Sequence, residues 1–436
     1  MRDSDRLTAA VHTIVFFSEC GGGSMLFANL LSRMVKTGTI TIIGPGGQRR
    51  SVGSGAPSVT IRVHDHVTDL QLALYPQLTL GEAYMDGRLS IEEGRLYELI
   101  EIGMVNYQRL EHQPLQRMLG AISWAVRGLQ QYNPISRSRE NVAHHYDLSG
   151  ALYDSFLDPQ RQYSCAYFSQ HGMGLDAAQE AKIRHIAAKL LLKPGQRVLD
   201  IGCGWGGLAI ALARMADVEV LGVTLSEEQH KSAVARAQAS GLSDQVRFEL
   251  MDYRLIEEKF DRIVSVGMFE HVGAGHYPDF FGKIRSTLKD DGVALLHSIG
   301  RMDGPGVTNP WIRRYIFPGG YSPALSEVLP EIERQALWVT DVEILRLHYA
   351  ETLRHWRERF MAKQDAMATL YDERFCRMWE FYLISSELSF RRFGHMVFQV
   401  QMALDQEAVP LTRDYITDYD RDMPTALRAV RGRASQ

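Results

Sequence analysis

Four side chains able to do chemistry stand in separate, recognisable segments of this chain. Cys165 lies in Tyr163-Ser164-Cys165-Ala166-Tyr167, and Glu270 in Gly267-Met268-Phe269-Glu270-His271-Val272-Gly273. His297 lies in Leu295-Leu296-His297-Ser298-Ile299-Gly300, and Tyr349 in His348-Tyr349-Ala350-Glu351-Thr352-Leu353. A carboxyl, an imidazole and a phenol brought together could hold or move a proton, and a thiol could attack an electrophile. Each also has an ordinary structural reading. Glu270 could cap a turn, His297 could be a satisfied core histidine, Tyr349 a packed helix aromatic and Cys165 an apolar filler.

A fifth stretch, residues 196–206, reads Gln-Arg-Val-Leu-Asp-Ile-Gly-Cys-Gly-Trp-Gly. It predicts a buried strand over 198–201, a glycine turn at Gly202, Gly204 and Gly206, and a helix over 207–215. Strand, turn and helix in that order are the context of a nucleotide site, in which bare backbone and free helix N–H groups would face the ligand. Alone, the pattern fits dehydrogenases, flavoproteins, methyltransferases and βα turns that bind nothing. A dinucleotide site needs an acid ending the second strand. Here Glu219 comes too early, and the strand ends in hydroxyls, Thr224-Leu225-Ser226. Ser226 and Gln229 spell a capping box for the next helix, which a ribose contact does not exclude. Asp252, after Met251 at the end of the third strand, could meet an adenine amino group or simply make a turn. The pattern favours S-adenosylmethionine over NAD.

The surrounding elements predict how these residues are held. Helix 176–192 precedes the glycine strand. Strand 219–224, helix 227–240, strand 246–251, strand 260–266, helix 276–288 and strand 292–299 follow. Such alternation predicts an α/β, doubly wound parallel sheet, and the tail from Ser326 reads as mainly helical. Upstream, 25–36 has helical apolar spacing, 38–43 and 59–63 read as strands, and 44–58 as a Gly/Ser/Pro-rich turn region. Residues 69–73 and 79–86 suggest short helices, 88–91 a strand and 91–106 a helix. The expected organisation is a disordered 1–24, a small α+β domain over 25–110, a linker over 111–136 carrying a helix at 114–130, and a catalytic domain over 137–436, beginning near Ser136. Gly21-Gly22-Gly23-Ser24-Met25 leaves Met25 open as the start.

At 436 residues, with 45% apolar and 23% charged residues, the chain has the composition of an ordinary globular protein of two domains. Its formal net charge of −4 gives no sign of a nucleic-acid partner. Four scattered cysteines lack metal-ligand spacing, so free thiols and no metal are expected. No apolar run spans a bilayer. A cytoplasmic protein with at most peripheral membrane contact is expected.

Residues 136–400 resemble the cyclopropane-fatty-acyl-phospholipid synthase family, which includes the mycolic acid cyclopropane synthases. The resemblance rests on Tyr163–Tyr167, the Leu199–Gly206 turn, Thr224-Leu225-Ser226-Glu227-Glu228-Gln229, Phe269–Gly273, Tyr315-Ile316-Phe317-Pro318-Gly319-Gly320 and His348–Leu353. It implies a Rossmann-like class I methyltransferase domain with a small N-terminal lipid-binding domain. The implied activity is transfer of a methylene group from S-adenosylmethionine to the cis double bond of an unsaturated phospholipid acyl chain. Methyl transfer gives a carbocation, and bicarbonate-assisted deprotonation closes a cyclopropane. The resemblance places bicarbonate among Cys165, Glu270, His297, Ile299 and Tyr349, with Cys165 and Ile299 contributing through backbone. It assigns the methyl donor to Tyr163, Ser164, Leu199, Asp200, Gly202, Gly204, Gly206, Thr224, Leu225, Ser226, Gln229, Met251 and Asp252. Two positions depart from the family: Ser386 stands where a late cysteine is usual, and Ser149-Gly150 where Gly-Asn is usual.

Two rival readings share these motifs: a fatty-acyl C-methyltransferase leaving a methyl or methylene branch, and a catalytically inactive lipid-binding protein. Membrane phospholipid is the expected partner, met at the inner face of the membrane. Arg313 and Arg314 beside Trp311 suit headgroups and an interfacial ring, or else a structural loop. A homodimer is expected.

Overall fold

The computed structural model describes residues 25–107 and 149–422. The expected disorder over 1–24, the linker over 111–136 with its helix, and the boundary near Ser136 lie outside them. The chain forms two compact units. Among the described residues, the first takes 25–107, 309–312 and 364–388, and the second takes 149–308, 313–363 and 389–422.

In the first unit, β1 (Gly38–Ile43), β2 (Arg49–Ser54), β3 (Ser58–Val63) and β4 (Leu89–Glu93) form one sheet in the order β2-β1-β3-β4. β1 runs antiparallel to β2 and parallel to β3. Strand β2 lies inside the expected turn region 44–58. Its sequence, Arg-Arg-Ser-Val-Gly-Ser, buries only Val52. An edge strand with one inward side chain carries no alternation to read. Likewise the expected helix over 91–106 starts later, at Leu96, because β4 runs on to Glu93. The helix Leu26–Met34 has no cap of its own. Asp69 supplies one, accepting from the N–H groups of Leu26 (2.7 Å) and Phe27 (3.2 Å). Trp311 is 1% exposed, its ring 4.6 Å from that of Phe381 and its Nε1 donating to Met85 Sδ. It is a core residue of this unit, which corrects the interfacial role the sequence suggested.

The second unit is built on seven strands: β5 (Arg197–Ile201), β6 (Glu219–Thr224), β7 (Val246–Leu250), β8 (Phe260–Val266), β9 (Leu288–Arg301), β10 (Trp338–Leu345) and β11 (His395–Ala403). Their order is β10-β11-β9-β8-β5-β6-β7. The strands β5 to β9 run parallel, while β11 is antiparallel to both β9 and β10. The tail expected to be mainly helical therefore supplies two strands. β11 is buried along almost its whole length, Gln399 and Gln401 included, and β10 is a half-exposed edge.

Alternate side chains of the sheet feed two cores. Val198, Val220, Val264 and Leu295 pack with apolar residues of the helices Leu175–Lys189, Gly207–Ala216 and Glu227–Ala239. Leu199, Ile201, Leu221, Ile263 and Leu296 pack with those of Tyr277–Thr287 and Leu325–Arg334. Helices on both faces make the sheet doubly wound. The chain lays β6 and β7 on one side of β5, then returns to place β8 on the other. That reversal opens a crevice at the carboxyl ends of β5 and β8, where open α/β sheets bind ligands.

Candidate active site

A cleft occupies that crevice. Its wall takes residues 200–205 from β5 and its turn, Val223, Thr224 and Leu225 from β6, 251–254 after β7 and 266–268 at the end of β8. Residues 161–164 close another side. Gly202, Gly204 and Gly206 all adopt positive φ, and a Cβ on Gly204 would meet nothing, so the backbone there is bare towards the ligand space. Of the expected donor residues, Tyr163, Ser164, Asp200, Gly202, Gly204, Thr224, Leu225, Gln229, Met251 and Asp252 line the cleft. Leu199, Gly206 and Ser226 sit behind it. Leu199 is wholly buried in the core, Gly206 packs against Phe248, and Ser226 Oγ accepts from Gln229 N at the start of the next helix. Gln229 does not spend its side chain on the expected capping box: its Oε1 accepts from Thr224 Oγ1 at 2.8 Å. Asp252 both lines the cleft and makes the turn, with Arg254 Nε and Nη2 held at 2.8 and 2.7 Å.

Cleft residues that the sequence did not single out include Gln162, Tyr253 and Arg254, while Trp205 of the glycine turn and His271 line it too. His271 carried a signal through its place beside Glu270. The Trp205 ring packs tilted against Tyr153 at 4.6 Å and donates from Nε1 to Glu228, fixing the turn's rim. Asp200 is buried with Oδ2 lacking a hydrogen-bond partner. Burial raises its carboxyl to about 7, against the pull of Lys182.

The chemically active residues are held in two sets, Glu270 with His297 and Ile299, and Tyr349 with the Cys165 segment. Period two along β9 puts His297 and Ile299 on one face. Glu270, in the short helix Phe269–His271 after β8, accepts from Ile299 N at 2.6 Å. The backbone N–H of Gly267, where β8 ends, donates to His297 O at 2.9 Å. The helix His348–Met361 docks on the Cys165 segment: Thr352 Oγ1 accepts from Ala166 N at 3.0 Å, and His348 Nδ1 from Phe168 N at 2.9 Å. That docking carries Tyr349, whose ring packs edge-on to Trp356 at 5.7 Å and tilted to Phe390 at 4.9 Å.

Two polar atoms in this group are buried without partners, Glu270 Oε2 and His297 Nε2. Burial pushes the Glu270 carboxyl up to about 7, partly offset by the Ile299 N–H. His297 is held well below the ordinary histidine range by burial and by nearby Lys182 and Lys189, so its ring is neutral. Gln399, its cross-strand partner on β11, lies 3.1 Å from Nδ1; with that amide donating, the ring proton sits on Nε2. Glu270 is thus a carboxyl that titrates near neutral pH, and His297 a neutral ring. Cys165 offers no thiolate. Its sulfur is buried, donates to Ala166 O, and has its pKa raised by burial. The N–H of Ile299 is already engaged by Glu270. Among the described residues no group of His, Cys, Asp and Glu side chains could hold a metal.

Residues 134–400 match the family model of mycolic acid cyclopropane synthetase, and 26–113 match a domain of unknown function. The chain is 38% identical over 351 residues to the cyclopropane-fatty-acyl-phospholipid synthase of Escherichia coli, covering 80% of this chain and 88% of that one. It is 36% identical over 350 residues to the tuberculostearic acid methyltransferase of Mycobacterium tuberculosis, covering 77% and 81%. The crystal structure of mycolic acid cyclopropane synthase CmaA1 complexed with SAH and CTAB superposes with a TM-score of 0.58 at 34% identity, over 62% of this chain and 99% of that one. With the cleft at the switch point of a methyltransferase sheet and a family model matched over most of its length, the chain belongs to the mycolic acid cyclopropane synthetase family.

Proposed function

We propose that this S-adenosylmethionine-dependent methyltransferase transfers a methylene group to the cis double bond of an unsaturated phospholipid acyl chain, forming a cyclopropane fatty acid. The observation that carries the reading is the pairing of a donor cleft at the switch point with the buried, unpartnered Glu270 Oε2 and His297 Nε2 behind it. The synthase of Escherichia coli, 38% identical, supports the same activity.

An alkene is a weak nucleophile, so the chain's main task is placement, which can supply roughly 7–11 kcal/mol. The carbon–sulfur bond of the sulfonium breaks as a carbon–carbon bond to the alkene forms. Sulfur keeps the electron pair and leaves in S-adenosylhomocysteine. The second alkene carbon becomes cationic, and loss of a proton from the new methyl closes the ring. Aromatic faces suit such a cation, and Tyr163, Trp356 and Tyr349 form a packed aromatic series, with Tyr163 on the cleft. No side chain is an obvious base for that proton. The two orphaned atoms suit a small anion: His297 Nε2–H can donate to it, and Glu270, with its raised pKa, can share a proton with it. Tyr349 would donate as well, with backbone of the Cys165 position completing the set; the Ile299 N–H instead fixes Glu270. Bicarbonate held there would supply a base of the required reach.

The acyl chain must leave the bilayer, and rehousing about eight methylenes at ~0.8 kcal/mol each is worth roughly 6 kcal/mol. We assign that contact to the inner face of the membrane, with the N-terminal domain as the lipid-binding part and a homodimer as the assembly. Among the described residues no helix is long and apolar enough to cross a membrane. The similarity to the tuberculostearic acid methyltransferase favours a second reading, C-methylation that stops at a branch. Gas chromatography–mass spectrometry of lipids from cells expressing the chain separates the two. Cyclopropane acyl chains are expected, and a branched product alone would sink the first reading.

A further inference from the structure

Lys182 is wholly buried, and among the described residues no carboxylate lies within ion-pair distance of it, Asp158 and Asp200 acting on its charge only from further off. Its ammonium donates to two neutral side-chain oxygens, Gln162 Oε1 at 2.7 Å and Ser164 Oγ at 2.8 Å. Gln179, one turn earlier on the same helix Leu175–Lys189, donates from Nε2 to the carbonyls of Gln162 (3.2 Å) and Ser164 (3.0 Å). Positions three apart share a helix face, so this face grips residues 162–164 by four hydrogen bonds. Gln162 and Ser164 both line the donor cleft, with Tyr163 between them.

The grip continues to the glycine turn. A Cβ on Gly207 would lie 2.2 Å from Gln160 O and 2.7 Å from Gln162 Nε2, so Gln162 lies flat on the first residue of the turn's helix. The Gln162 amide therefore joins the Lys182 ammonium to the backbone that faces the ligand. Asp200 on the cleft wall and His297 behind it both feel the Lys182 charge. A buried charge without a direct ion-pair partner is expensive, and the hydrogen bonds of this one are spent on two side chains that line the cleft.

We propose that Lys182, with Gln179, is the positioning residue of the methyl-donor cleft: it holds the Gln162–Ser164 segment against the glycine turn, so that Tyr163 and Ser164 are set before the donor enters. The inference rests on the reading that this cleft takes S-adenosylmethionine. The test is Lys182→Met, close in shape and lacking the charge, on the full chain. Calorimetric titration with S-adenosylmethionine should give a dissociation constant raised about tenfold or more, as expected for losing hydrogen bonds from a charged donor. The KM for unsaturated phospholipid vesicles should stay at the wild-type value, a split that general loosening of the fold would not produce. If Lys182→Met fails to fold, Gln162→Leu, which removes one acceptor, must show the same split. Unchanged donor affinity, or equal rises in donor and lipid constants, overturns the inference while wild-type donor binding still stands. A wild-type chain that does not bind S-adenosylmethionine overturns the reading of the cleft and the inference with it.

Discussion

Replacing Glu270 by glutamine should make the protein slower and, at alkaline pH, more stable. The side chain keeps its shape, and its remaining oxygen can still accept from Ile299 N. What changes is the charge. Burial lifts the carboxyl from 4.5 to about 7, and at 1.36 kcal/mol per unit the buried carboxylate costs roughly 3 kcal/mol. Below about pH 4.5 the group is protonated in native and unfolded chains alike, and the penalty is absent. Between 4.5 and about 7 the native state holds a proton the unfolded state has lost, so stability falls as pH rises. Above about 7 the wild type carries the full penalty and Glu270→Gln carries none. Urea unfolding of the ligand-free protein should therefore give a mutant-minus-wild-type difference that climbs by roughly 3 kcal/mol between about pH 4 and 8. Turnover, followed as S-adenosylhomocysteine released with unsaturated phospholipid vesicles, should drop about 10²-fold or more, the range of a lost proton-handling group. Donor affinity should persist, because Glu270 does not line the cleft. A stability difference flat with pH would refute the burial argument, and near-wild-type turnover would remove Glu270 from the proton-handling set.

Two further outcomes follow from burial. Cys165→Ala should keep turnover within about threefold, and iodoacetamide should leave the native protein unlabelled at this position, because the thiol is enclosed and held protonated; rapid alkylation with loss of activity would contradict this. Trp311→Ala should cost about 3–5 kcal/mol in unfolding experiments, the price of emptying a packed indole site. Vesicle binding measured well below the unfolding temperature should be unaffected, whereas weakened vesicle binding at unchanged stability would return Trp311 to the membrane interface.

Much of the site was legible because its parts are local. The strand Arg197–Ile201, the turn at Gly202 to Gly206 and the helix behind it are set by neighbouring residues: an apolar run, glycines at positive φ, and a helical period. The strands Glu219–Thr224 and Phe260–Val266 match their expected limits for the same reason. The alternation of strand and helix patterns likewise pointed to an α/β protein. Tertiary structure decided what depends on partners distant in sequence. β10 and β11 were unreadable because one is a ragged edge and the other is buried on both sides, and it is β11 that brings Gln399 to His297. The orphaned oxygen of Glu270 exists only because Ile299 takes its neighbour and protein encloses the rest. Lys182 carries no motif, since a lysine on a helix reads as solvated until the fold buries it against Gln162 and Ser164. The sequence by itself determined the donor's cradle, a matter of backbone conformation within a few residues. Only the tertiary structure decided which charges lose their water, because burial is a property of the whole packed molecule.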